Sequence, residues 1–240
     1  MVEHLVYTER VGGSSPSPPT RVRRAALFIL LSLWGWAGVT TPSAAQLFGR
    51  GPMKFSVEEL RGPECGAHCP KVVVAEGVIE EQTPEAFLEF ARHAAFADGL
   101  RAVVFIDSPG GNVVASMELG TAFRKLRLSA IVANYESSGG FAGPVGGQCV
   151  SACVYALMGA VRRISPPISR IALHRMSIVG DQGGERRFAD ARLVGIVARY
   201  AQRMGVSPAL VWAAESMPPD HVRILSQREM SAWRLATTRF

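Results

Sequence analysis

The chain has 240 residues, of which 48% are hydrophobic and 19% are charged, so an intrinsically disordered protein is excluded. This length suits one domain with a tail and is sufficient to bury a sizeable core. The formal net charge of +6 at pH 7 is modest and the basic residues are scattered, so no nucleic-acid partner is expected.

The N-terminal segment has the pattern of an export signal. A basic flank at 20–24 precedes an apolar run of 15 residues at 25–39, which is shorter than the ~20 residues of a membrane-spanning helix. Ser43 and Ala45 then provide the small residues of a signal-peptidase site, which predicts cleavage after Ala45. We therefore expect residues 1–45 to be removed and the mature protein to be periplasmic or secreted. An uncleaved segment that anchors the protein in a membrane is the alternative.

Four cysteines form two pairs with the same C-x3-C spacing, Cys65/Cys69 and Cys149/Cys153. Outside the cytoplasm such cysteines are expected to form disulfides, but four cysteines allow three connectivities and the sequence does not choose among them. Free buried thiols are one alternative. A metal ion at the first pair, with His68 between the cysteines, is another, but this spacing is a weak metal signal and no metal site is predicted.

Beyond residue 70 the hydrophobic patterns alternate between those of strands and those of helices. Predicted strands lie at 71–79, 101–107, 129–134 and 170–176. Predicted helices lie at 82–96, 113–126, 149–160, 191–205 and from 207 onwards. This alternation is typical of β-α-β units, so we predict an α/β domain with a mostly parallel sheet and flanking helices over 71–240. Residues 46–70 are interpreted as a linker with a cysteine pair.

Ser151 is the first candidate for chemistry, since it follows Gly146 and Gly147 and precedes an apolar run. A serine at a strand-to-helix corner lies near backbone N–H groups that no helical carbonyl satisfies, and the amide of Ala152 is one such donor for an oxyanion. The competing interpretation is a helix N-cap, a position that serine also favours. The glycine-rich segment 136–147 is interpreted as a loop that acts as a lid over the serine.

Two further motifs offer what a serine nucleophile needs. The segment DSPGG at 107–111 follows a predicted strand, and its glycines let the backbone approach a substrate and present N–H groups to a developing negative charge. His174 ends the segment RIALH, 23 residues after Ser151, and a serine hydroxyl needs such a base. Taken singly, these features are also typical of a tight turn and of an ordinary core or surface histidine.

In their order and spacing these motifs resemble the proteolytic subunit of the Clp protease and its exported relatives, within the ClpP/crotonase-like superfamily. The resemblance rests on GVI at 77–79, SPGG at 108–111, the serine at a helix start and SRIALH at 169–174, and it covers residues 71–235. It implies a ClpP/crotonase-like spiral of β-α-β units with a Ser-His-Asp triad that cleaves peptide bonds.

Carried over position by position, the resemblance makes Ser151 the nucleophile and His174 the general base. The amides of Gly111 and Ala152 would form the oxyanion hole. No cofactor is implied, and the partner would be a peptide or an unfolded protein. Clp-type subunits form rings, so a homo-oligomer is considered, but no ATPase partner is expected outside the cytoplasm, where ATP is absent.

The third member of the triad is less directly indicated. The LS-x-x-E segment at 225–229 resembles the one that follows the catalytic aspartate of the family, which points to Asp220. However, Asp220 lies about two residues further upstream than the family spacing. Asp181 and Asp190 are nearer to His174 in the sequence and are the alternatives.

The cysteines beside the serine depart from the family pattern, which has small residues and methionine there. On one continuous helix Cys149 and Cys153 would have Cβ atoms ~5–6 Å apart, against ~3.8 Å in a disulfide, so a bridge between them requires the helix to begin after Ser151. Pairing of either one with Cys65 or Cys69 would instead fasten the N-terminal segment beside the site.

The sequence thus predicts an exported serine peptidase. The alternative is a catalytically inactive ClpP-like fold that serves as a binding or assembly module, because the triad aspartate departs from the family spacing and cysteines crowd the serine. Acyl-CoA chemistry of the crotonase type is a weaker third interpretation, since export removes the chain from the CoA pool and no cluster of basic residues is placed for the CoA phosphates.

Overall fold

The computed structural model describes residues 50–63, 65, 69–178, 187–218 and 220–237. All of them belong to one unit of the chain, Pro42–Phe240. The predicted signal peptide at 1–45, His68 and Asp181 lie outside the described residues. Within the described ranges no helix is long and apolar enough to cross a membrane.

Strands and helices alternate along most of the described chain. The strands are β1 (Lys54–Glu59), β2 (Lys71–Glu76), β3 (Leu100–Asp107), β4 (Ser129–Ser138), β5 (Phe141–Gly146), β6 (Gln148–Val150), β7 (Arg162–Ile164), β8 (Arg170–Leu173), β9 (Ser177–Ile178), β10 (Arg187–Phe188) and β11 (Arg223–Ile224). The helices are α1 (Thr83–Ala94), α2 (Val113–Lys125), α3 (Cys153–Gly159), α4 (Ala191–Arg203), α5 (Ala209–Glu215) and α6 (Gln227–Ala232).

The larger sheet has the order β1-β2-β3-β4-β5, with β7 also paired to β4. Its inner pairs β2–β3, β3–β4 and β4–β7 are parallel, which confirms the predicted mixed α/β architecture with a mostly parallel sheet. Ala75, Val104, Ile106 and Val132 on these strands are buried and belong to the same core as residues of helices α1 to α5. Strands buried in this way are apolar and β-branched along most of their length, as the sequence shows.

A smaller sheet of three strands, in the order β11-β8-β6, carries the residues of interest. Strands β6 and β8 are parallel, with Val150 opposite Ala172, and a single bridge between Ser108 and Cys149 joins β6 to the end of β3. Ser151 directly follows β6 and His174 directly follows β8. The two candidate residues therefore come after the carboxyl ends of neighbouring parallel strands, where α/β sheets position functional groups.

Helix α3 is buried along its whole length and crosses α2 at a very short distance. A Cβ atom placed on Gly159 would lie 1.9 Å from the carbonyl oxygen of Gly120. A Cβ atom placed on Gly120 would lie 2.1 Å from the hydroxyl oxygen of Tyr200 on α4. The two glycines therefore allow backbone contact between α2 and the C-terminal half of α3.

Three segments differ from the sequence-based expectation. Strand β1 lies in the segment interpreted as a linker and pairs antiparallel with β2. The glycine-rich segment 136–147 is largely a hairpin of β4 and β5 rather than a loop, because Gly139 and Gly140 adopt φ values of +57° and +86° that suit a two-residue turn. Helix α3 begins at Cys153, since Cys149 is in the middle of β6.

Candidate active site

Ser151 occupies a sharp turn between β6 and α3. Its φ of +56° lies in the left-handed region, which costs a residue other than glycine about 1–3 kcal/mol. Its backbone N–H donates to the carbonyl oxygen of Ala172 at 2.9 Å, and this bond holds the turn. The N-cap of α3 is Ala152 and no side chain caps the helix, so the Ser151 hydroxyl is not used as a cap. Among the described residues, Oγ of this half-buried serine has no hydrogen-bond partner.

A disulfide closes the turn around the serine. It joins Cys149 in β6 to Cys153 at the first position of α3, with Cα atoms 5.2 Å apart, and both residues are completely buried. The alternative pairing with Cys65 or Cys69 does not occur, because these two cysteines form their own disulfide. The bridge across Ser151 forms because the helix begins after the serine, so that Cys149 has strand rather than helix geometry.

The Ser-Pro-Gly-Gly turn after β3 packs directly against the serine turn. A Cβ atom placed on Gly110 would lie 2.7 Å from the carbonyl oxygen of Val150 and 2.9 Å from Cβ of Ser151. Gly110 and Gly111 have φ values of +105° and +138°, which side chains rarely adopt. The Ser108 hydroxyl accepts the N–H of Gly110 at 3.1 Å and fixes the turn. Positions 110 and 111 therefore require glycine for two reasons: a side chain would collide with neighbouring atoms, and side chains rarely adopt these φ values.

Two backbone amides near Ser151 are not used by the fold. Gly111 forms a parallel bridge with Ile79, and the two hydrogen bonds of this bridge are made by the chain neighbours of Gly111. The N–H of Gly111 itself therefore points away from Ile79. In the part of the chain that the structure describes, neither this N–H nor that of Ala152 donates to a protein acceptor. Amides left unused beside a serine are what an oxyanion hole requires.

His174 is half-buried at the end of β8. Its Nδ1 lies 2.7 Å from the carbonyl oxygen of Arg175. A carbonyl oxygen can only accept, so this contact assigns the proton to Nδ1 and leaves Nε2 with a free lone pair. This is the tautomer that a general base for a serine hydroxyl needs.

The carboxylates proposed from the sequence have different environments. Asp190 is the N-cap of α4, where its side chain accepts a backbone N–H at 2.7 Å. Asp220 is exposed between α5 and β11, and its role in a triad stays a prediction. The carboxylate that contacts the residues after His174 is that of Glu215, at the C-terminal end of α5, which accepts the N–H of Met176 at 3.0 Å.

Glu215 was not identified from the sequence, because it ends an ordinary amphipathic helix 41 residues after His174 and belongs to no motif. Its side chain is only 12% exposed. Burial raises the pKa of the Glu215 carboxyl above its ordinary value, while the bond from Met176 and the charges of Arg175 and His174 act in the opposite direction. A carboxylate this shielded from water acts strongly on its neighbours.

Asp107, the first residue of DSPGG, has a structural role. It is 1% exposed, and its Oδ1 accepts the N–H of Gln148 at 3.0 Å while its Oδ2 lies 2.6 Å from the guanidinium of Arg50. The contact with Gln148 attaches the beginning of β6 to the end of β3, and the contact with Arg50 attaches the segment before β1 to the same carboxylate. Among the described residues, no three His, Cys, Asp or Glu side chains come together as a metal site.

Comparison with known proteins gives a match in structure only. No protein-family model matches the sequence, and no curated protein matches it either. Solved structures with a similar fold include a serine-to-alanine variant of the 1510-N membrane-bound stomatin-specific protease, with a TM-score of 0.50 and 17% identity over 69% of this chain and 75% of that one. A lysine-to-alanine variant of the same protease, in complex with a substrate peptide, has the same TM-score and identity over 69% and 71%.

At this level of identity the likeness concerns the fold. The chain shares the mixed α/β fold of this protease, which agrees with the ClpP-like fold that the resemblance of its motifs predicted. The roles of the individual side chains are not decided by it.

Proposed function

We propose that this protein is an exported serine peptidase in which Ser151 is the nucleophile and His174 its general base. The setting of Ser151 carries the proposal. Its hydroxyl is unused in a strained left-handed turn, which directly follows a strand end and lies beside the unused amides of Gly111 and Ala152. A serine retained for capping or packing would engage its hydroxyl and would not need a strained backbone.

In the proposed reaction Nε2 of His174 removes the proton of Ser151 while Oγ bonds to the carbonyl carbon of a peptide. The resulting oxyanion accepts hydrogen bonds from the amides of Gly111 and Ala152. The imidazolium then protonates the leaving nitrogen, and the C–N bond breaks to leave an acyl ester on the serine. Water, deprotonated by His174, hydrolyses this ester and restores the enzyme.

The proposed substrate is a peptide or an unfolded protein. Support comes from the fold, which is shared with a protease whose solved structure includes a substrate peptide. A homo-oligomer stays a prediction, as does the absence of an ATPase partner.

Export is the second part of the proposal. The basic and apolar pattern at 20–39 followed by small residues supports cleavage after Ala45, and disulfides such as the two found here persist outside the cytoplasm. Mass spectrometry of the protein recovered from the periplasm or medium should identify Gln46 as the first residue. Recovery of the intact N-terminus in the membrane fraction would support the anchored alternative instead.

A fluorophosphonate probe, which reacts with activated serines, tests the catalytic part. We expect labelling of the wild-type protein at Ser151 and none in Ser151→Ala, with strong loss in His174→Ala. Ser138→Ala, in the exposed end of the β4–β5 hairpin, is the matched control and should label normally. Hydrolysis of an unfolded protein substrate should follow the same order. A wild-type protein that is folded but never labels would favour the binding-module alternative.

A further inference from the structure

One peptide group connects the side chains of His174 and Glu215. The carbonyl oxygen of Arg175 lies 2.7 Å from Nδ1 of His174, and the N–H of Met176 donates to Oε1 of Glu215 at 3.0 Å. This oxygen and this N–H belong to the same planar peptide unit, and in a trans peptide they point in opposite directions. The histidine and the carboxylate are therefore on opposite sides of one peptide group, each hydrogen-bonded to it.

We propose that Glu215 is the positioning carboxylate of His174 and that it acts through the Arg175–Met176 peptide group instead of touching the imidazole. The proposal rests on the function proposed above, in which His174 is the general base of Ser151. Glu215 is a positioning residue in this scheme and touches no reacting atom.

The physical basis is cooperative polarisation. A carboxylate that accepts the N–H of a peptide draws that proton toward itself and makes the carbonyl oxygen of the same unit a stronger acceptor. The Arg175 oxygen then holds the Nδ1–H of His174 more firmly, which fixes the ring and its tautomer. It also stabilises the imidazolium that forms when Nε2 takes the serine proton.

The surroundings of Glu215 favour its action on His174 through the peptide group. Arg175 extends its guanidinium over the ring of Phe188, at 4.4 Å from the ring centre, and its Nε remains 3.8 Å from Oε2 of Glu215. The guanidinium therefore does not hold the carboxylate in a close ion pair. Burial raises the pKa of the Tyr155 hydroxyl on helix α3, and the charge of Glu215 raises it further. The Glu215 side chain is 12% exposed, so water screens its charge less than it would at the surface, and that charge acts on the peptide group.

The experiment compares Glu215→Gln with the wild-type protein by two readouts. Glutamine keeps an oxygen that can accept the Met176 N–H but removes the charge. We expect the rate of fluorophosphonate labelling at Ser151 to fall about 10-fold, the lower end of the effect of removing a residue that orients a metal-bound histidine. We also expect the Nδ1–H proton resonance of His174 in the NMR spectrum to move to higher field, because its bond to Arg175 is weaker. A role limited to folding would not move this resonance in a folded variant.

Two further variants make the result specific. Glu89→Gln, on the exposed face of α1, removes one carboxylate charge far along the chain and should change neither readout. Asp220→Asn tests the carboxylate that the resemblance implied, and the proposal requires a smaller shift of the His174 resonance in this variant than in Glu215→Gln. The proposal is overturned if the resonance is unchanged in Glu215→Gln, or if it moves in Asp220→Asn and not in Glu215→Gln.

The NMR readout separates this proposal from the assignment of Ser151, because it follows His174 whether or not the protein hydrolyses anything. If the wild type is not labelled but the His174 resonance still shifts in Glu215→Gln, the peptidase proposal is contradicted and the role of Glu215 is not. If Glu215→Gln does not fold, the test is made on the wild-type protein instead. Protonation of His174 should then shift the amide resonance of Met176. If this resonance does not respond, the proposed coupling between Glu215 and His174 through the Arg175–Met176 peptide group is overturned.

Discussion

The backbone N–H of Ser151 donates to the carbonyl oxygen of Ala172 at 2.9 Å, and this bond ties the serine turn to β8, the strand that His174 directly follows. The bond continues the parallel register in which Val150 lies opposite Ala172. The position of the serine relative to the histidine is therefore set by strand pairing, which is rigid, and not by a loop. Changes that move the serine turn should impair reactivity more than they impair stability.

Gly110 provides the sharpest test of this turn. A Cβ atom at this position would press on Val150 and on Cβ of Ser151, so Gly110→Ala should displace the serine and lower its fluorophosphonate labelling at least ~10-fold, since misplacement of a reacting group by about 1 Å is enough for a 100-fold loss. Gly140→Ala is the matched control, because it also has a positive φ but nothing lies within 4 Å of the added atom. Gly140→Ala should lose about 1–3 kcal/mol of stability from its backbone conformation, Gly110→Ala should lose more because its Cβ also meets neighbouring atoms, and only Gly110→Ala should lose labelling. If Gly110→Ala and Gly140→Ala are labelled equally, the Ser-Pro-Gly-Gly turn is not part of the active site.

The disulfide across Ser151 should matter for reactivity as well as for stability. Closing a loop of about 5 residues contributes about 2 kcal/mol in the chain-entropy model, so replacing Cys149 and Cys153 by alanine should lower the free energy of unfolding by about that amount. The same change should relax the left-handed turn and reduce labelling of Ser151. The Cys65/Cys69 double alanine variant removes a bridge of the same spacing elsewhere and should label as the wild type does. If both double variants label alike, the disulfide serves stability only.

Two glycine substitutions should have opposite effects on stability. Gly159→Ala places a Cβ atom 1.9 Å from the backbone of α2, so the helices must separate and we expect a loss of about 3 kcal/mol or more. Gly195→Ala, within α4, meets only the flexible end of Arg199 at 3.4 Å and should gain about 0.5–1 kcal/mol from helix propensity. Urea unfolding monitored by circular dichroism measures both. A gain from Gly159→Ala would contradict the close crossing of α2 and α3.

The capping box of α6 should make the stability of the folded protein depend on pH in the acid range. The pKa of the Glu229 carboxyl is lowered, first by the hydrogen bond from the backbone of Ser226 and then by that from its hydroxyl. Because the folded pKa is below the unfolded one, the folded state binds fewer protons. The contribution is therefore complete above the ordinary Glu pKa and is lost as the pH falls through the lowered value.

Thermal unfolding of Glu229→Gln against the wild type measures this contribution. Glutamine keeps an acceptor but carries no charge, so the variant should be less stable at pH 7 and should converge with the wild type in strong acid. Glu89→Gln, which is exposed on α1, should keep the wild-type pH profile. A difference between Glu229→Gln and the wild type that persists in strong acid would show that the charge is not responsible.

Local patterns in the sequence were sufficient to predict the fold class and several of the strands and helices. The alternation of apolar runs after residue 70 gave the α/β class, and the predicted strand at 101–107 is found as Leu100–Asp107. These features depend on the period at which side chains are buried, and this period can be recognised from the order of neighbouring residues in the sequence. The ClpP-like fold was predicted from the resemblance of SPGG, Ser151 and RIALH, in that order, to a known family, and each of these motifs is a short stretch of neighbouring residues.

The tertiary structure decided what depends on contacts between distant residues. Helix α3 begins at Cys153 because β6 needs Cys149 for its pairing with β8, and this register allows the disulfide that helix geometry would disfavour. Glu215 meets Met176 only through the packing of α5 against the end of β8, and no pattern along the chain could indicate it. Periodicity thus determined which elements form, whereas pairing and packing, which act between residues far apart in the sequence, determined which side chains surround the serine.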